Sequence, residues 1–351
     1  MKNLLLLTIL SFGLLAACSP TTEKEAYGTE NNATSYFDNT GRDDVLSGGV
    51  KMIPITTPKG TFNVWTKRTG NNPQMKVLFL HGGPGATHEY FECFDSFLPI
   101  EGIEYYYYDQ LGSHYSDKSG DSTLWTIDHF VEEVEQVRKA LNLTKDNFYI
   151  LGHSWGGILG IEYALKYQDN LKGLMISNMM SSIPDYEKYA AEVLGPQLDK
   201  EVLDEIMAFE EAKDFGNPRY SELVTTHYYP EHVLRMPLDQ WPNPVNRAFA
   251  QMNYPLYVYM QGYSEFGVTD GASLENWDRS GDLSKITVPT LTIGGAYDTM
   301  DPKHMEWMAG EFANGQYLHC PNGSHMSFYD DQKTYMEGVI RFIKDVDSGG
   351  L

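Results

Sequence analysis

A short apolar run, Phe148-Tyr-Ile-Leu151, ends in Gly152-His-Ser154-Trp-Gly156-Gly157, and a helical pattern from Ile158 to Tyr167 follows directly. No other feature constrains the chain as much. A continuous apolar run of this length fits a strand buried on both faces of a parallel sheet. Glycines on both sides of Ser154 allow a turn so sharp that flanking side chains would clash. The serine hydroxyl is then presented at the tip of a strand–turn–helix elbow. Such a serine is a candidate nucleophile, provided that a base can take its proton.

The same alternation extends through the chain. Val50 to Ile55 and Thr61 to Thr66 read as a hairpin about Pro58-Lys-Gly60. Val77 to Leu80 and Tyr105 to Tyr108 read as strands, the second with two faces rather than as an aromatic cage. Asp128 is expected to cap a helix carrying Val131, Val134, Val137 and Leu141. Leu174 to Ile176, Thr290 to Ile293 and Gln316 to His319 are further strands, with helices near Lys303 to Phe312 and Gln332 to Lys344. Between them, residues 181–272 read as helices and irregular segments rich in Pro and aromatics. The pattern predicts an α/β fold, a mostly parallel sheet flanked by helices, with an inserted helical cap. The expected divisions are core at 47–180, cap at 181–275 and core again at 276–346, with order beginning near Val50.

Within such a fold the acid and base follow later strands. Asp298 comes just after Thr290–Ile293, and His325 just after Gln316–His319. Ser154, Asp298, His325 is the chain order of the α/β-hydrolase fold. Asp270 and Asp301 compete for the acid role, and His304 and His319 for the base; the two histidines read as structural or solvated. His81-Gly-Gly83-Pro-Gly85 ends the first buried strand, where backbone amides can approach a developing oxyanion. Its donors are expected to be the amides of Gly83 and Trp155. His227-Tyr-Tyr-Pro-Glu-His232 lacks metal-site spacing, and Pro230 is expected to disrupt a ligating helix. No dinucleotide or phosphate loop is present, so neither a metal nor another cofactor is expected.

The chain of 351 residues has 26 basic against 48 acidic side chains, a net charge of −22. That excludes an electrostatic affinity for nucleic acid or an anionic lipid surface and favours a cationic small molecule or free amine. Lys2, the apolar stretch Leu4 to Leu15 and Leu15-Ala-Ala-Cys18 form a secretory leader, too short to span a bilayer comfortably. Leu-Ala-Ala-Cys resembles a bacterial lipobox, which implies cleavage after residue 17 and lipidation of Cys18. Ser19 after the cysteine favours the outer membrane by the same resemblance. Residues 18–46 then read as a flexible tether. Cys93 and Cys320 read as apolar fillers, with a disulfide between them left open.

His81-Gly-Gly-Pro-Gly85, Tyr108-Asp-Gln110, Gly152-His-Ser-Trp-Gly-Gly157, Tyr167-Gln-Asp-Asn-Leu-Lys-Gly173, Ser264-Glu-Phe266 and Trp277-Asp278 together resemble the proline iminopeptidases. The likeness runs over about residues 47–346, cap included. It implies removal of an N-terminal residue, usually proline, from short peptides with a free N-terminus. It also implies that Glu265 in the cap grips the substrate amine. A second carboxylate, which archaeal members carry after the catalytic Asp, falls on Thr299; Asp301 is a nearby substitute. His114-Tyr115 replaces the Gly-Arg usual in the family. The alternatives are a broader amino-acid amidase or esterase and a non-catalytic binding lipoprotein.

Overall fold

A computed structural model describes residues 39–351; the leader, Cys18 and the tether as far as residue 38 lie outside the described residues. Eight strands form one sheet: β1 (Val50–Thr57), β2 (Gly60–Thr69), β3 (Lys76–Leu80), β4 (Glu104–Asp109), β5 (Phe148–His153), β6 (Gly173–Ser177), β7 (Thr290–Gly295) and β8 (Gly315–Cys320). Their order is β1-β2-β4-β3-β5-β6-β7-β8. The β1/β2 and β2/β4 pairs are antiparallel and the rest parallel. The parallel strands therefore all end at one edge, where loops after β3, β5, β6, β7 and β8 meet.

Helix α1 (Ile127–Ala140) lies between β4 and β5 and helix α2 (Trp155–Tyr167) between β5 and β6, in the manner expected of crossover units. The N-cap of α1 is Thr126 rather than the expected Asp128. Its backbone is extended and its hydroxyl accepts from the His129 amide at 3.2 Å. Asp128 sits in the first turn, where its charge suits the helix dipole.

Strand β4 displays the period of two in full. Tyr106 and Tyr108 join one apolar cluster with Phe130, Val134 and Ile158, whereas Tyr105 and Tyr107 join the opposite cluster with Phe91 and Phe94. Successive side chains of a strand face opposite ways, so four tyrosines serve two core layers.

Between β6 and β7 the chain makes a helical excursion: α3 (Ile183–Tyr189), α4 (Lys200–Glu211), α5 (Pro218–Leu223), α6 (Tyr229–His232), α7 (Asn243–Ala250) and α8 (Tyr254–Met260). Its neck is closed by the Ser182–Asp278 bridge. It has a small core of its own that includes Leu194, Ile206, Tyr220 and Tyr228. Arg247 on α7 also forks onto Glu89 and Glu92 of the 3-10 stretch His88–Ser96, tying the cap to the sheet layer. The sheet is completed by α9 (Pro302–Glu311), α10 (Ser327–Asp330) and α11 (Gln332–Asp347).

Some expectations change. Pro230 does not break its helix; it stands in α6, which follows directly on the widened turn Val224–Tyr228 within one helical run. No group of His, Cys, Asp and Glu able to hold a metal occurs among the described residues. Order begins before Val50, because Arg42 pairs with Glu104 at 2.8 Å and Asp44 with Arg68 at 2.8 Å. The polar composition around residue 44 therefore serves buried pairing as well as solvation. Cys93 is half-buried, Cys320 is buried, and both are free thiols. No helix among the described residues is long and apolar enough to cross a membrane.

Candidate active site

Ser154 stands between β5 and α2 with φ 55° and ψ −126°, a conformation unfavourable to a residue with a Cβ. The surroundings enforce it. A Cβ on Gly152 would lie 2.0 Å from the Gly156 carbonyl oxygen, and one on Gly156 would lie 2.0 Å from that of Leu80. The elbow can close against β3 only with glycine at both places. The Ser154 amide is held by Ser177 of β6 at 3.0 Å.

Asp298 and His325 are brought together from loops after β7 and β8. Nδ1 of His325 lies 2.9 Å from Oδ1 of Asp298, and both side chains are buried. Burial alone would lower the imidazole pKa. The charge and hydrogen bond of Asp298, with the charge of Glu265, outweigh it and raise the pKa above the ordinary 6.5. The Ser154 hydroxyl makes no hydrogen bond among the described residues, yet Ser154 and His325 line one cavity. Hydroxyl–imidazole contacts often close only when substrate binds.

The competing candidates lie elsewhere. Asp270 pairs with Lys213 at the surface. Asp301 caps α9, its Oδ1 accepting from the Lys303 amide at 2.9 Å. His304 meets the Ser181 hydroxyl at 2.9 Å, and His319 is exposed beside Tyr317. Asp301 thus caps a helix through Oδ1 and does not line the cavity that holds Ser154. The rings of His114 and Tyr115 meet at a tilt of 43°, and neither residue lines the cavity.

Around this pair lies a network that sequence reasoning missed. Asn178, directly after β6, donates through Nδ2 to Asp298 Oδ2 at 2.6 Å and to the Ser324 carbonyl at 3.1 Å. Its Oδ1 accepts from Ser177, whose hydroxyl in turn accepts from Tyr335. His153 bridges two loops: Nε2 donates to the His325 carbonyl at 2.8 Å, which leaves Nδ1 to accept from Tyr90 at 3.1 Å. Burial holds its pKa well below the ordinary value, so the ring is neutral. From the cap, the His232 carbonyl accepts from the His325 amide at 2.9 Å, and its Nδ1 donates to the Tyr297 carbonyl at 2.9 Å. The available signal was position: Asn178 follows a buried strand as Ser154 and Asp298 do.

The Gly82 amide is consumed by the Tyr90 hydroxyl at 2.5 Å. The amides of Gly83 and Trp155 have no protein acceptor among the described residues, as expected at a bend and at the first residue of a helix. Gly82 and Gly83 line the same cavity as Ser154.

The cap supplies the opposite wall: Val233, Ala248, Phe249, Met252 and Glu265. About 30 Å³ is open there to the centres of water-sized molecules, so the space beside Ser154 is confined. Glu265 is fastened by three phenols. Tyr257 donates to Oε1 at 2.6 Å, Tyr186 donates to the main-chain carbonyl at 2.7 Å, and Tyr229 accepts from the amide at 3.3 Å. Oε2 has no protein partner among the described residues. Burial raises the carboxyl pKa above 4.5, against the opposing charge of His325 and the Tyr257 hydrogen bond.

The alpha/beta hydrolase fold family matches residues 76–332. A proline iminopeptidase of Elizabethkingia meningoseptica is 58% identical over 297 residues, covering 85% of this chain and 99% of its own length. This chain belongs to the proline iminopeptidase family. One from Saccharolobus solfataricus is 36% identical over 78% of this chain and 86% of its own. Among solved structures, the proline iminopeptidase of Mycobacterium smegmatis superposes with a TM-score of 0.75 at 27% identity, over 86% of this chain and all of its own. The α/β-hydrolase fold expected from the elbow is the fold observed, and the family expected from the motifs is the family found.

Proposed function

We propose that the protein is a serine aminopeptidase that releases an N-terminal residue, preferentially proline, from short peptides. The observation that carries this reading is one confined cavity lined by Ser154, His325 and Glu265 together. Ser154 Oγ attacks the carbonyl of the first residue while Nε2 of His325 takes its proton. Nδ1–H of His325 stays bonded to Asp298, which fixes the tautomer and stabilises the imidazolium as it forms. The Gly83 and Trp155 amides receive the oxyanion. His325 then returns the proton to the departing amine, and water hydrolyses the acyl-enzyme by the same steps in reverse.

The free amine of the first residue is a cation, and Glu265 presents Oε2 to it from the cap. The apolar wall of Val233, Ala248, Phe249 and Met252 suits a small saturated ring. The proline iminopeptidases among the relatives carry the same activity in their names. A broader amidase or esterase is the second reading, favoured by a single carboxylate in the cavity lining and by Thr299 in place of another. A panel of aminoacyl-arylamides, each with and without N-acetylation, tests the two. Proline arylamide is expected to be cleaved fastest, and acetylation is expected to abolish turnover; equal rates on acetylated substrates would establish the amidase.

The enzyme is further proposed to be lipid-anchored through Cys18, in the cell envelope and facing away from the cytoplasm. Its support is the leader and Leu15-Ala-Ala-Cys18. No other contact with a membrane is proposed.

A further inference from the structure

Thr299 follows the proposed catalytic acid directly and is wholly buried. Its hydroxyl lies 3.0 Å from Nδ1 of His325 and 3.4 Å from Oδ1 of Asp298. Nδ1 and Oδ1 are themselves 2.9 Å apart, so the three atoms form a compact triangle. The geometry points to Thr299 as a positioning residue for the proposed triad: its hydroxyl holds the Nδ1–H tautomer of His325 and keeps the ring aligned with Asp298. This inference rests on the triad reading above.

A hydroxyl can do both things at once. Its lone pair accepts a share of the Nδ1–H, while its own proton points to the Asp298 carboxylate. Asp298, Thr299 and His325 are all buried, so water is poorly placed to replace the hydroxyl. With two acceptors at Nδ1, the proton stays on that nitrogen and Nε2 keeps the lone pair needed toward Ser154. The acceptor contact is the shorter, and an imidazolium donates more strongly than a neutral ring. Thr299 therefore favours the protonated ring slightly, in addition to orienting it. The other groups facing His325 are Glu265 and His232 from the cap, His153 from the elbow and Asp330 from α10. None of these supplies a side-chain contact to Nδ1 among the described residues. At this position Thr299 is part of the machinery beneath the substrate site and lines none of the cavity.

The test follows reaction with a fluorophosphonate probe as a function of pH, using wild type, Ser154→Ala, Thr299→Val and Thr299→Ser, each checked for cooperative unfolding. Wild type is expected to react and Ser154→Ala not; reaction of a folded Ser154→Ala at the wild-type rate would bring down the triad reading and this inference with it. With that control in place, Thr299→Val is expected to react about tenfold more slowly on the plateau, the size of one hydrogen bond to a charged group. Its acid limb is expected to move to lower pH, and Thr299→Ser is expected to restore both. An unchanged plateau and limb in Thr299→Val would overturn the assignment. So would a Thr299→Ser as slow as Thr299→Val, because packing of the methyl would then be the cause. Should Thr299→Val not fold, Thr299→Ala is compared with Thr299→Ser in the same way.

Discussion

Nδ2 of Asn178 lies 2.6 Å from Oδ2 of Asp298, so the carboxylate oxygen not used by His325 is held from the neighbouring strand end. The two residues are 120 positions apart in the chain. Asn178 adopts φ 54°, a conformation that asparagine tolerates better than most residues. Replacing it by alanine would leave a buried carboxylate oxygen without its donor and free the acid to rotate. A hydrogen bond to a buried charge is worth about 1.5–3 kcal/mol, so Asn178→Ala is expected to lower kcat by roughly tenfold to a hundredfold with little change in KM. Wild-type kcat in a folded Asn178→Ala protein would show that Asp298 is held well enough without it.

Ser154→Ala is expected to leave the fold intact and to reduce turnover of any arylamide by about a thousandfold or more, since the proposed triad acts as a unit. The alanine would retain the elbow's unfavourable backbone angles, so no gain in packing offsets the lost hydroxyl. Asp298→Asn is expected to be comparably severe, because Nδ1 would lose its anionic partner and the imidazolium its stabilisation. Single-turnover kinetics with purified variants checks both. A folded Ser154→Ala enzyme with most of its activity would refute the serine-hydrolase mechanism.

How much of this was legible beforehand depends on the range of the interaction. The elbow, the glycine loop and the strand-end positions of Asp298 and His325 are local patterns, and the parallel sheet follows from their spacing. The cap was visible as a change of pattern after Ser181, and Glu265 through the family resemblance. Asn178, His153, Tyr90 and His232 were not, because their roles depend on which strand ends become neighbours, a property of the order β3-β5-β6-β7-β8. Thr299 was legible only as a departure from a family pattern; its contact with Nδ1 depends on side-chain direction in an irregular loop. The position of Asp301 was illegible for a related reason. Proximity in sequence placed it beside the site, whereas the start of α9 claimed its side chain as a cap. Arg42 and Asp44 looked like tether because buried ion pairs have the composition of a solvated segment.

The proposed anchor makes a separate prediction about the mature N-terminus. Mass spectrometry of protein purified from membranes is expected to find Cys18 as the first residue, carrying acyl chains. One chain binds a bilayer only marginally, so stable fractionation with membranes requires the several chains of a bacterial lipoprotein. Cys18→Ser is expected to abolish acylation and cleavage at that site while leaving catalytic constants measured in detergent unchanged. A wild-type protein beginning at another residue, without lipid, would remove the anchor from the account.

In the proposed mechanism Glu265 links substrate choice to pH through the effect of its charge on His325. As the proposed base, His325 must be neutral to accept the Ser154 proton, and its pKa is raised above 6.5. Activity is therefore expected to fall as the pH drops through that raised value, giving an acid limb above pH 6.5 in kcat/KM. Glu265 contributes to the raising, because its negative charge favours the imidazolium. Glu265→Gln removes the charge while keeping the shape, so the acid limb is expected to move to lower pH. The same substitution removes the proposed partner of the substrate ammonium. Losing one member of a buried charged pair costs about 2–4 kcal/mol, or roughly thirtyfold to a thousandfold in kcat/KM for proline arylamide. A simple activated ester such as p-nitrophenyl acetate has no ammonium, so its hydrolysis is expected to change little on the plateau while still reporting the shifted limb. The two readouts separate the roles. Equal plateau losses on both substrates would make Glu265 a structural residue of the cap. An acid limb that stays in place would mean that the carboxylate is neutral, or screened from His325, in the working enzyme.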